Sequence, residues 1–184
     1  MNLFFRLIIL IIRNLTVAKP IDYLEQATLK FKVWITDQDA FQHMNNAVYM
    51  SIADLAVIDL LMRTGVAKNM RKNGISPVVV FKSCTYLKML KFPQAYEVKS
   101  RFTAWDGSYI FFEHLFQRNG KLHARAVTVG RLVGRRGKHP SVQEAMEQLG
   151  WENVPESPPL TEDEQRLLAS IRAERAASKS GTQA

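Results

Sequence analysis

Apolar and polar positions follow two different periods along this chain, and the changes between them mark out its elements. From Thr28, TLKFKVWIT sets Leu29, Phe31, Val33 and Ile35 against Lys30, Lys32 and Trp34, the period-two pattern of a strand. A long apolar helix is predicted over 47–65, AVYMSIADLAVIDLLMRTG, with Gly65 as its C-cap. Its polar residues Ser51, Asp54, Asp59 and Arg63 do not share one face at ~100° per residue, so little of it can meet water. That predicts a helix wrapped by other structure. Strands are expected over 76–92, 95–105, 109–118 and 121–134. In the second of these, Tyr96, Val98, Ser100 and Phe102 alternate with Glu97, Lys99, Arg101 and Thr103. Asp106-Gly107 and Asn119-Gly120 are hairpin turn signals. Consecutive hairpins and one dominant helix make an α+β arrangement around an antiparallel sheet.

The two ends read differently. LFFRLIILIIRNL (3–15) is the most apolar stretch, but its longest unbroken run, Leu7 to Ile12, falls well short of the ~20 residues that span a bilayer. As a helix it would set Arg6 and Arg13 on nearly one side with Asn2, although Ile9 intrudes. Three readings follow: a helix lying in a membrane interface, a helix packed on its own domain or a partner subunit, or a processed signal ending near Thr16-Val17-Ala18. Pro20 ends the segment. Beyond the sheet, 141–150 is a short helix starting behind Pro140, and Pro155 to Pro159 is a break. Thr161 to Glu164 fits a capping box opening a helix to about Ala177. The expected organisation is an apolar helix over 1–20, a main domain over 28–136, a helical extension over 139–177 and a disordered tail over 178–184.

Composition narrows the partners. The 184 residues, 47% of them hydrophobic, can bury one substantial core. A net charge of +8 favours anionic partners. There is no zinc-finger or helix-turn-helix spacing, and no compact basic run beyond Arg135-Arg136-Gly137-Lys138, so nucleic acid is not expected. The single Cys84 rules out an intramolecular disulfide and suits a reducing, cytoplasmic setting. Its apolar neighbours suggest a buried structural thiol.

The densest chemistry lies at 37–49, DQDAFQHMNNAVY, between a strand and the start of the buried helix. The first N–H groups of a helix lack intrahelical partners, and its dipole favours negative charge there. Such a place can polarise a carbonyl, and a nearby carboxylate can attack it or activate water. Asp37, Asp39, His43, Asn45 and Asn46 supply what thioester hydrolysis needs without a metal. Asn and Asp are equally common as plain helix caps.

This stretch resembles the signature of the 4-hydroxybenzoyl-CoA thioesterase group of hotdog-fold proteins, in which Asp-x-Asp leads through a turn to a Tyr. With His43-Met44-Asn45-Asn46 it is similar to the His-x-Asn-Asn variant found in plant acyl-ACP thioesterases and in membrane-associated thioesterase-like mammalian proteins. The resemblance covers roughly residues 28–136. It implies a sheet wrapped around one long helix, and homodimers at least, because such folds complete their clefts across a subunit interface. It further implies that Asp39 is the catalytic carboxylate, that the N–H of Asn46 or Ala47 binds the carbonyl oxygen, and that His43 and Asn45 orient loop or substrate. Tyr49 is the motif's tyrosine, a packing or acyl-pocket residue. Ala40-Phe41-Gln42 lacks the glycine of the family's namesakes. Asp54 stands where relatives often carry an acid and is a candidate substrate contact; the plain alternative is an acid satisfied by hydrogen bonds.

Other polar residues are weaker candidates. Asp59 and Arg63 form a structural i,i+4 pair, and His114 and His123 lack further ligands for a metal. Lys88, Lys91, Arg131, Arg135 and Arg136 are candidates for CoA phosphates. The function implied is hydrolysis of an acyl-CoA or acyl carrier protein thioester, with coenzyme A present only as part of the substrate. The alternative is a non-catalytic acyl-CoA or lipid-binding module at a membrane surface. A hotdog dehydratase is disfavoured because its Gly-Asp-x-Asn setting is absent.

Overall fold

The computed structural model describes residues 3–134, 140–151 and 155–180. Five strands, β1 (Ala27–Lys32), β2 (Ser76–Tyr86), β3 (Ala95–Trp105), β4 (Ile110–Arg118) and β5 (Lys121–Val133), form one antiparallel sheet in the order β1-β3-β4-β5-β2. The β4–β5 hairpin turns at Asn119 and Gly120, with φ of 51° and 73°. Those two left-handed residues match the strand twist, which is why Asn-Gly is favoured there. At the β3–β4 turn the Asp106 carboxylate accepts from the N–H groups of Ser108 and Tyr109.

Helix α2 (Asn46–Arg63) lies across the sheet and touches all five strands. Ile52, Ala53, Leu55, Ala56 and Leu60 are buried against sheet residues that include Val98, Phe112, Phe116 and Ala126. Each large side chain so buried contributes about 1.5–3 kcal/mol. The unstriped helix is therefore the core's axis, as its sequence predicts. Gly65, at φ 76°, ends it and opens α3 (Val66–Asn73), a helix the hydrophobic pattern did not announce.

Two expected strands are shorter than their patterns. β1 stops at Lys32, and Ile35 to Asp37 form a 3-10 turn in which Ile35 is exposed. β2 stops at Tyr86 because Leu87 and Lys88 donate their N–H groups to the single carbonyl of His123, closing the ladder. Behind the sheet, α4 (Val142–Gln148) is capped by Ser141, and α5 (Glu162–Ser180) opens on the Thr161–Glu164 capping box. Leu168 and Ile171 of α5 pack on Tyr109, Phe111 and Val129. α5 runs through Ser178, where a disordered tail was expected; 181–184 lie outside the described residues.

The N-terminal helix α1 (Leu3–Thr16) packs against α2 with its polar side inward. Arg6 is buried and pairs with the Asp37 carboxylate, which also accepts from the Trp34 N–H at 2.8 Å. Arg13 and Asn14 reach Asp59 Oδ1 at 3.0 and 2.8 Å, and Arg63 lies 3.7 Å from its other oxygen. Asp59 is thus more than half of an i,i+4 pair: it is the acid that receives α1. Of the three readings of this segment, packing on its own domain is the one observed. The side carrying the arginines faces protein, not water.

The core also holds one neutral histidine. His114 is fully buried, with Nδ1 2.8 Å from Ser100 Oγ and Nε2 3.2 Å from Thr128 Oγ1. Burial, with a smaller push from the Lys82 charge, drives its pKa down to about 3. Between its ordinary value of 6.5 and about 3, the unfolded chain binds a proton that the native state refuses. Stability is therefore lost as pH falls through that window, by up to about 1.4 kcal/mol per pH unit. Urea unfolding at several pH values should show a shallower acid slope for His114→Gln than for the native protein. Equal slopes would place the acid sensitivity elsewhere.

Candidate active site

The loop between the 3-10 turn and α2 is built by its own side chains. The Asp39 Oδ1 accepts from the N–H groups of Phe41 at 2.9 Å and His43 at 3.2 Å. The Asp39 N–H donates to the His43 carbonyl at 2.9 Å, and Gln38 and Met44 form an isolated bridge. Gln42 takes a φ of 60°, in the left-handed region that favours glycine. The turn lacking a glycine in sequence thus still takes a glycine-like backbone, at a cost of roughly 1–2 kcal/mol.

Three backbone bonds seat this loop on the fold. The Asn45 N–H donates to the Asp37 carbonyl and the Met44 N–H to the Leu90 carbonyl, both at 2.8 Å, and the Val48 N–H donates to the Asn45 carbonyl. Asn45 is the N-cap, its side-chain oxygen accepting from the Ala47 N–H at 2.8 Å. Asn46 is the first helical residue. Of the two N–H groups expected to bind a carbonyl oxygen, that of Ala47 is therefore occupied. Among the described residues no acceptor reaches the N–H of Asn46.

Asp39, His43, Met44, Asn46 and Tyr49 line one cleft of about 380 Å³, closed on its far side by Tyr86, Leu87, Lys88 and Met89. Asp39 is half-buried there. Its Oδ1 is held by two N–H groups, and no donor among the described residues reaches Oδ2. Tyr49 is buried, with its ring edge-on to Tyr86 and Phe116 at centroid distances of 5.2 and 5.0 Å. Burial pushes its phenol up to about 12, against a lowering contact with the Leu90 backbone, so it stays protonated at neutral pH. Tyr86 donates to the Asn46 carbonyl at 3.3 Å, joining the cleft's two walls.

The remaining candidates lie elsewhere. The Asp54 carboxylate pairs with Lys82 of β2, which also donates to the Met50 carbonyl at 3.2 Å. It lies eight residues along α2 from Asn46, about 12 Å at helical rise, and is engaged by a cation. Lys91 sits in an exposed turn where its N–H meets the Gln94 side chain. Arg131 pairs with Val78 eight residues along β5 from His123, roughly 26 Å at strand rise. Neither lines this cleft, although Lys91 directly follows Leu90, whose carbonyl holds the Met44 N–H. Lys88 is the candidate cation that does line it. Arg135 and Arg136 fall outside the described residues.

Sequence reasoning named Lys88 but missed the rest of the cleft's second wall, Tyr86, Leu87 and Met89, and the role of Asp37. The wall carries one signal, the LKM stretch, in which Leu87 and Met89 are exposed, following a mostly apolar run. The first acid of Asp-x-Asp has none, since its partner Arg6 is 31 residues away.

Comparison with known proteins bears on this geometry. Residues 33–162 match the model of the thioesterase-like superfamily. Protein THEM6 of Danio rerio is 28% identical over 152 residues, 83% of this chain and 73% of that protein. Protein THEM6 of Xenopus laevis is 30% identical over 80 residues, which are 44% of this chain and 39% of that protein. Among solved structures, YbaW probable thioesterase from Escherichia coli superposes with a TM-score of 0.61 at 21% identity, over 66% of this chain and 97% of that one. BH1999 gentisyl-coenzyme A thioesterase does so with a TM-score of 0.59 at 16% identity, over 66% and 99%. At such identities the structural likeness speaks for the fold, a sheet wrapped around one helix. Since the family match runs from Val33 to Glu162 and takes in the cleft, α2 and every strand from β2 to β5, this chain belongs to the thioesterase-like superfamily of hotdog-fold proteins.

Proposed function

We propose that this chain hydrolyses an acyl thioester, with acyl-CoA or acyl carrier protein as donor, to the free acid and the thiol. The observation that carries the reading is that Asp39 lines one cleft with Asn46, whose N–H meets no acceptor among the described residues. The thioester oxygen accepts from the Asn46 N–H at the positive end of α2, which stabilises the oxyanion formed on attack. Asp39, through Oδ2, either attacks the carbonyl carbon or takes a proton from the water that does. In the first case the thiolate leaves from an acyl–Asp39 anhydride, which water then opens; in the second it leaves directly. Both routes end with the carboxylic acid and the protonated thiol. Coenzyme A enters only as part of the substrate. One fold neighbour is a gentisyl-coenzyme A thioesterase, which supports a CoA thioester as the substrate class.

A homodimer belongs to this reading. β2 pairs with β5 on one side only, and Val78 and Val79 are exposed along this edge strand. An open edge of this length is a template for pairing with a second chain. In such a pair the cleft's Tyr86–Met89 wall, which follows directly on β2, would lie near the partner.

Position 46 allows the oxyanion donor to be tested alone. It is the first helical residue, where proline is well tolerated because its missing N–H has no helical partner. Asn45, at φ −59° and ψ 140°, already has the extended backbone required before proline. Asn46→Pro should keep the fold and lower turnover by about 10²–10³. Asn46→Ala, which keeps the N–H, should retain most of it. Equal rates in the proline and alanine variants would remove this N–H from the mechanism.

A further inference from the structure

The packing of α1 leaves its apolar side uncovered. Its cations and its amide point into the domain, while Phe4, Phe5, Ile9, Ile12 and Leu15 are each more than half exposed on the opposite arc. A solvent-facing helix normally shows the reverse order. The helix contains no acid. Beside it, a groove of about 330 Å³ between α1 and β1 is bordered by Arg13, Lys30, Lys32 and Trp34. Lys30 is 81% exposed, its one acid partner being Glu97 at 3.5 Å. Trp34 is 44% exposed.

We propose that this face docks on a bilayer containing anionic phospholipid, with α1 lying in the plane of the interface. Three observations select lipid over a protein partner. The exposed arc carries one polar side chain, Thr16, whose hydroxyl is turned back on the Ile12 carbonyl at 2.8 Å, so little on it would set the register of a docked chain, and a fluid acyl layer needs nothing. The cations flank the apolar arc at one edge, where headgroup phosphates lie, and Trp34 stands beside them, as tryptophan does at membrane–water boundaries. The helix, about 21 Å long at helical rise, is too short to cross a hydrocarbon layer of ~30 Å but long enough to lie in its surface; among the described residues no helix is long and apolar enough to cross a membrane.

The attachment differs from that of a loose amphipathic tail. Peeling α1 away would strand the buried Asp37 carboxylate without its arginine and leave Asp59 with Arg63 alone, at 3.7 Å, of its two arginines. The helix therefore stays on the domain, and the bilayer meets a preformed face. Because Trp34 opens the segment leading to Asp37 and Asp39, docking sets the cleft loop close to the lipid surface.

Flotation of the purified full chain with vesicles tests this. Vesicles of equal parts phosphatidylcholine and phosphatidylglycerol should carry the protein, and phosphatidylcholine alone should carry it about tenfold less well. Phe5→Asp with Ile12→Asp should abolish flotation while the circular dichroism spectrum is kept. Phe4→Ser with Leu15→Ser provides a milder pair should the first fail to fold. Lys30→Glu with Lys32→Glu should bring binding on the anionic vesicles down to the phosphatidylcholine level. The proposal is overturned if the folded native chain floats with neither vesicle, or if the apolar-face variants float unchanged. It is also overturned if those variants alter only the mass of the protein in solution, which would make α1 a contact between copies.

Discussion

Arg6→Met is expected to destabilise the protein by about 3–5 kcal/mol, the cost of leaving a buried acid without its cation. The side chains of Arg6 and Asp37 are 3% and 4% exposed, so water cannot take the arginine's place. Among the described residues, the Asp37 carboxylate would keep the Trp34 N–H alone. Urea unfolding measures the loss directly. The double variant Arg6→Met with Asp37→Asn should recover most of it, because the asparagine oxygen can still accept from Trp34 and no charge remains buried. A single variant no less stable than the native protein would mean that the Arg6–Asp37 pair does not hold α1, leaving that to Arg13 and Asn14 on Asp59 and to its apolar contacts. The consequences extend to the site. The Asp37 carbonyl accepts the N–H of the N-cap Asn45, so Arg6 braces the segment from which both Asp39 and the start of α2 are hung.

Asp39→Asn should leave the fold intact and reduce turnover by about 10³-fold or more, toward the upper end of what a positioned acid–base or nucleophilic group supplies. The two carboxylate oxygens have different uses. Oδ1 accepts two N–H bonds that shape the 39–43 turn, and an asparagine oxygen can accept both. Oδ2 becomes an amide NH₂, which can neither attack a carbonyl nor take a proton from water. The substitution therefore separates the scaffolding role from the chemical one. Substrate affinity should change little, so the loss should fall on kcat more than on KM. Asp39→Ala removes both roles and should cost stability as well, so equal stability in the two variants would argue against the turn contacts.

The readable features of this sequence were local or periodic. Asn119-Gly120 announces a hairpin because both residues accept the left-handed backbone it needs. Thr161 and Glu164 announce a capping box because its two bonds close within four residues. That little of α2 meets water could be read because its polar residues fail to share a face; from Val48 to Arg63 every residue is buried or half-buried. The candidate site was legible for the same reason: Asp39, His43, Asn45, Asn46 and Tyr49 lie within one short stretch that folds largely on itself.

The features that were hidden depend on distant partners. α1 reads as amphipathic, but which side faces the protein depends on Asp37 and Asp59, far along the chain, and the pattern alone suggests the wrong one. β1 looks longer than it is, since Val33 and Ile35 continue its alternation although the ladder ends at Lys32 and the chain turns at Ile35 to Asp37. The Lys82 partner of Asp54, 28 residues away, has no signal in the helix pattern. Charge alone likewise does not tell that Lys88 lines the cleft while Lys91 and Arg131 do not.

The central claim is that the Asp39 cleft turns over thioesters and does not merely hold them. Release of free thiol from a panel of acyl-CoA substrates by the native chain measures that most directly. The account predicts multiple turnovers on at least one acyl-CoA, falling to near background in Asp39→Asn. Saturable acyl-CoA binding with no thiol released from any member of the panel, or release undiminished by Asp39→Asn, would contradict it.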